Sequence, residues 1–183
     1  RDIANATSLL QRLELEGHNV GDRWAEIADL SENRAEDGCL VFADLHYMLA
    51  LMGDKRPVAR DQMITRMGAA AGDAPADMER ITADPGLAAA EGLAAFGEGR
   101  YTAAFQNLLS ARRRMQTIGG SHAQRDVFER ITVDAGLRAG RFADVRNILD
   151  ERTAQRAGRR DSFAERRYAL IADASYTFKV PAQ

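Results

Sequence analysis

The chain has 183 residues, 45% of them hydrophobic and 28% charged, an ordinary globular make-up with room for one compact domain or a short solenoid. A formal net charge of −2 supplies no global field to gather nucleic acid or a membrane surface, and the lone Cys39 excludes an internal disulfide. No stretch approaches the roughly 18 apolar residues of a membrane span, so the expectation is a cytoplasmic protein without a membrane or nucleic-acid partner.

The chain begins at Arg1 inside a helical pattern, which suggests the C-terminal part of a longer protein. Residues 2–16 carry Ile3, Ala6, Leu9, Leu10 and Leu13 at near-helical spacing, and Gly17 stops that helix. Asp22 reads as the cap of a second helix with Trp24, Ile27, Ala28 and Ala35 facing inward. Residues 39–52 form a dense apolar helix ended by Gly53, with Cys39 as a small core residue. Apolar side chains on several of its faces predict neighbours on more than one side. Pro57 opens the next helix, carrying Val58, Met63, Ile64 and Met67. Ala69 to Pro75 reads as a mobile connection, followed by a short helix over 76–83. Asp84-Pro85 has the form of a cap and first helical residue for a helix over 85–97. A helix over 101–118 ends at Gly119-Gly120, and Ser121 caps one over 122–138. Helix 142–156 follows, and a final helix from Ser162 looks like a solvent-facing cap. No segment reads as a strand.

Two places share one pattern. Gly99-Arg100-Tyr101 and Gly140-Arg141-Phe142 each end a helix on glycine, step once, and open the next helix on an aromatic residue. Gly92, in the middle of helix 85–97, would let two helix axes approach closely. The two pattern glycines are 41 residues apart, longer than the roughly 34 of a standard tetratricopeptide repeat. The fold expected is all-α: a tetratricopeptide-like helical-hairpin solenoid, a single domain over 1–183. Its hairpins lie near 2–36, 39–71, 85–118 and 121–157, its N-terminal repeats are degenerate, and a cap spans 162–178.

Three blocks carry a family resemblance. The run from Asn5 to Trp24, which includes Leu13-Glu14-Leu15-Glu16-Gly17-His18-Asn19-Val20-Gly21-Asp22-Arg23-Trp24, resembles a signature of the tetratricopeptide repeat 38-like family. Phe42-Ala43-Asp44-Leu45-His46-Tyr47-Met48-Leu49-Ala50 and Gly119-Gly120-Ser121-His122-Ala123-Gln124-Arg125-Asp126-Val127-Phe128 are similar to the same family, in the same order. The resemblance covers most of 1–160 and implies an all-helical repeat protein. It implies no activity.

The chemistry-bearing residues are few. Asp44 and His46 are two apart, so on a helix they point about 200° apart and cannot serve one site, whereas Asp44 and Tyr47 share a face. His46 reads as a half-buried histidine, with the sharper alternative of a general base paired with His122 from another hairpin. His18, His46 and His122 lack metal-ligand spacing, so no metal or other cofactor is expected. Ser121, His122 and Asp126 are too close in sequence for a triad, whose members converge from separate elements. Gln124 and Arg125, with Arg113 nearby, are placed on a concave face where arginine could grip the carboxylates of a peptide, and Tyr47 joins them as a groove residue. Of the 25 basic residues 23 are arginine, read as a base-composition bias of the source genome.

The leading expectation is a protein- or peptide-binding scaffold without catalytic activity. One alternative is an enzyme with a pocket around Asp44, His46 and His122, completed by a missing N-terminal part. The other is a structural or dimerisation segment, which an exposed apolar strip on 2–16 would favour.

Overall fold

The computed structural model describes residues 2–72 and 77–177, and the regular structure among them is entirely helical. The helices are α1 Asp2–Leu15, α2 Trp24–Glu32, α3 Val41–Gly53, α4 Pro57–Gly72, α5 Asp77–Ile81, α6 Leu87–Gly97, α7 Tyr101–Arg112, α8 His122–Arg138, α9 Phe142–Gln155 and α10 Ser162–Thr177. The chain divides into two compact units, Arg1–Ala135 and Gly136–Gln183, with the boundary inside α8.

In the first unit α3 is the hub. It packs against α1, α2, α4 and α6, and it buries Val41, Asp44, Leu45, His46, Met48, Leu49, Ala50 and Leu51. Neighbours on several sides are what its all-round apolar sequence predicts. The core joins Leu45 and Met48 to Met63 and Met67 of α4, Leu93 of α6, Leu108 of α7, and Phe128 and Ile131 of α8. A smaller cluster gathers Leu10, Val20, Trp24 and Ala50. Helices α6 and α7 lie close because position 92 is glycine: a Cβ there would stand 2.7 Å from Leu108 Cγ and 3.0 Å from its backbone nitrogen.

The helix stops follow one geometry. At the end of α1, Gly17 (φ +86°) donates to the Glu14 carbonyl and His18 to that of Leu13. The same pair of bonds closes α6 at Gly99, from Gly99 to Phe96 and from Arg100 to Ala95. These satisfy carbonyls that a helix end leaves open. Helix α3 ends at Gly53, where the sequence reading ended it, and the left-handed residue that follows is Lys55 (φ +55°). Gly53 is small for another reason: a Cβ would sit 2.3 Å from the Trp24 ring.

Other boundaries shift. Asp22 lies in a 3-10 turn, Gly21–Arg23, and makes no side-chain cap. Cys39 is exposed, not in the core, because α3 begins two residues later, after an extended Leu40. Asp84 is extended, as an N-cap residue is, and the helical turn resumes at Pro85 and runs through Gly86 into α6, so Asp84-Pro85 opens that helix as the sequence reads. Helix α7 stops at Arg112, and a separate 3-10 turn, Met115–Ile118, follows. Of the connection expected over 69–75, residues 69–72 belong to α4 and residues 73–75 lie outside those described, as do residue 76 of the short helix and residue 178 of the cap.

In the second unit Gly140 (φ +70°) and Arg141 repeat the helix stop, bonding to Leu137 and Gly136, and Phe142 opens α9. Helices α9 and α10 pack together and bury Val145, Ile148, Leu149, Phe163 and Ile171. Arg152 and Arg167 are also buried, their guanidinium carbons 5.5 and 4.1 Å from the centre of the Phe163 ring. Arg152 is ion-paired with Asp161 at 2.8 Å.

Candidate functional site

The polar groups of the first unit gather where α1, α3 and α8 meet. Helix α1 buries Ala4, Thr7, Ser8 and Gln11, a stripe at i, i+3, i+4 and i+7, and so presents small and polar side chains inward. Leu9, on the side its spacing marks as apolar, is 58% exposed. Opposite this stripe lies His46 of α3, with no exposed surface.

Both ring nitrogens of His46 are engaged. Nδ1 lies 2.6 Å from the Phe42 carbonyl and Nε2 lies 3.2 Å from Ser8 Oγ. A carbonyl only accepts, so Nδ1 carries the proton, and Nε2 accepts the Ser8 hydroxyl. The Phe42 and Phe128 rings flank the imidazole at centroid distances of 4.3 and 5.0 Å. Burial lowers its pKa to about 4, and the nearby Arg12 charge acts in the same direction. A hydroxyl donating to a neutral imidazole is the arrangement of a nucleophile and its base. Here Ser8 is 3% exposed and His46 fully buried, which leaves no room for a reactant beside the hydroxyl.

Asp44 faces elsewhere, as its two-residue offset from His46 requires. It is 2% exposed and forms an ion pair with Arg66 Nη2 at 2.9 Å. Burial raises its pKa, against the opposing pull of Arg66. Arg66 also donates through Nε to the Ala35 carbonyl at 2.8 Å and so ties the α2–α3 loop to α4. His122 is exposed at the first residue of α8, six residues from the Phe128 that meets His46. The three residues expected of an enzyme pocket thus have three different surroundings.

The expected groove residues are likewise dispersed. Tyr47 is half-buried against the core. Gln124 works at the start of α8: its Oε1 accepts from Ser121 N at 2.9 Å, while Ser121 Oγ accepts from Gln124 N at 3.3 Å, a reciprocal capping box. Its amide also reaches Asn5 Oδ1 at 3.4 Å. Arg125 donates to the carbonyls of Gly119, at 2.9 Å, and Gly120. Arg113 is the exposed C-cap of α7. Gln124 and Arg125 therefore serve the turn before α8, because the Gly119-Gly120 carbonyls and the α8 N-terminus need partners more than a distant face does.

Sequence reasoning did not single out Ser8, Arg12 or Arg66. Arg12 links α1 to α8, donating to the Ala123 carbonyl at 2.6 Å and lying 3.6 Å from Asp126, which also holds Arg130 at 2.7 Å. The partners of these residues lie far along the chain, so no local spacing announces them.

An open groove lies on the other side of α3's neighbours. It is lined by Val58, Asp61, Gln62, Thr65, Arg66 and Ala69 of α4 and by Glu36 of the α2–α3 loop. Its volume is about 640 Å³. Among the described residues no group of three or more His, Cys, Asp or Glu side chains is placed to hold a metal ion, and no helix is long and apolar enough to cross a membrane. No family model matches the chain, and no solved structure matches it.

Proposed function

We propose that this chain is a helical scaffold that docks another protein or peptide and has no catalytic activity of its own. The observation that carries the reading is a contrast. The Ser8–His46 pair, which has nucleophile-and-base geometry, is sealed in the core, while the α4 groove lies open. Ligand sites are concave and accessible. The groove meets that condition and the Ser8–His46 pair does not.

We extend the proposal to the arrangement. In the first unit α1 packs with α2, α3 with α4 and α6 with α7, while α1, α3 and α6 follow one another in contact. That order of contacts supports a tetratricopeptide-like succession of hairpins; the tetratricopeptide repeat 38-like assignment and a cytoplasmic setting are part of the same proposal and rest on the sequence. A photo-crosslinking residue at position 62 tests the docking role. Cell-lysate proteins should crosslink there and not from position 146 on α9, which lies outside the groove. Equal capture from both positions would overturn the proposal. So would hydrolysis of ester or amide substrates that is lost in Ser8→Ala.

A further inference from the structure

We infer that the α4 groove takes a peptide segment in which a lysine or arginine adjoins an aliphatic or aromatic residue; this rests on the docking role proposed above. The argument begins with the charges that line the groove. Arg66 is already matched by Asp44 at 2.9 Å. Asp61 is held by Arg60 at 2.8 Å, and Arg60 also binds Glu98. Glu36 has neither an ion pair nor a hydrogen bond among the described residues, and it is exposed at the rim. The groove therefore carries one uncompensated carboxylate.

The apolar contribution comes from Val58. It is 69% exposed, the most exposed of the large hydrophobic side chains among the described residues, and Ala69 extends the same stripe about three helical turns further on. Gln62 and Thr65 lie between them. A cation at Glu36 and an apolar side chain over Val58 complete what each lacks. The charge of the surrounding unit is of the same sign as Glu36: residues 1–135 hold 15 basic and 21 acidic side chains, an excess that favours a cationic over an anionic segment there.

A display library of 12-residue peptides, panned against the full chain, tests the inference, with affinities of selected peptides then measured for variants. The expected result is enrichment of lysine or arginine beside an apolar residue. Binding should weaken about tenfold in Val58→Asp and about threefold in Glu36→Gln, the latter fading at high salt. Arg146→Ala on α9 should bind as the parent does. Selection of neutral or acidic peptides that still depend on Val58 would overturn the cation requirement and leave the docking role standing. Basic peptides that bind both groove variants normally would show that they attach elsewhere, and the inference would fall. If no peptide binds and no protein crosslinks from position 62, both readings fall together.

Discussion

Acidification should unfold this protein through one side chain. His46 has Ser8 and Phe42 on its two nitrogens, Phe128 against its ring and no exposed surface, so protonation would place a second N–H against a hydroxyl already donating to it. Its pKa falls from the ordinary 6.5 to about 4. The unfolded chain therefore binds the proton first, and the stability that His46 confers is fully present above pH 6.5 and drains away as pH falls toward 4. The whole displacement is worth about 3 kcal/mol, of which about 2 kcal/mol is lost between pH 6.5 and 5. Asp44, whose pKa is raised, acts with the opposite sign, but it is common to the parent and to His46→Gln and cancels in their difference. Trp24, the only tryptophan and 2% exposed, reports unfolding by fluorescence. Urea midpoints from pH 7.5 to 4.5 should fall more steeply for the parent than for His46→Gln. Parallel curves, or a His46 ring that titrates near 6.5 by NMR in the folded protein, would refute the assignment.

Two glycines should respond in opposite directions to alanine. Gly53→Ala drives a methyl group into the Trp24 ring and should lower stability by about 1–3 kcal/mol, whereas Gly68→Ala, within α4 and with nothing within 4 Å, should raise it by about 0.5–1 kcal/mol; urea unfolding reads both. Arg66→Met strands the buried Asp44 carboxylate and frees the Ala35 carbonyl, so it should cost about 3 kcal/mol at pH 7. That deficit should shrink on acidification as Asp44 takes up a proton, and a pH-independent deficit would argue against the pairing. Ser121→Ala removes half of the α8 capping box and should cost about 1 kcal/mol in thermal or urea unfolding, with no change expected if Gln124 alone holds the turn.

What could be read from the sequence was local. Gly99-Arg100-Tyr101 and Gly140-Arg141-Phe142 announce their helix stops because the whole motif, αL residue and both closing bonds, lies within six residues. The Ser121 cap and the close approach at Gly92 are legible for similar reasons. Gly53 marks the end of α3 in the sequence, but the constraint that keeps it small, the Trp24 ring, lies 29 residues earlier and no local pattern shows it. Cys39 misled because the apolar run over 39–42 begins before the helix does. His46 reads as half-buried in the sequence and is fully buried in the structure, because its partner Ser8, 38 residues away, closes over it. The α4 groove needed the α2–α3 loop to be folded back by Arg66, and no periodicity encodes that.

The orientation of α1 shows how these polar groups shape the fold. Its sequence offers two candidate faces. One carries Ile3, Ala6, Leu9 and Leu13; the other carries Ala4, Thr7, Ser8, Leu10 and Gln11. Hydrophobic burial alone favours the first, since covering Leu9 would gain roughly 1 kcal/mol or more. The second is the one that faces inward, and Leu9 is left out. The reason lies across the interface: His46 has a nitrogen that must accept a hydrogen bond, and a buried acceptor left without one costs about 1–3 kcal/mol. Ser8 meets that need, and Arg12, one turn on, fixes the rotation by reaching the Ala123 carbonyl and Asp126 on α8. The polar centre therefore fixes the rotation of α1, with Leu10 buried, Leu13 packed beside it and Leu9 left in solvent. It has the chemistry of a catalytic pair, but its position in the fold makes it an instrument of specificity.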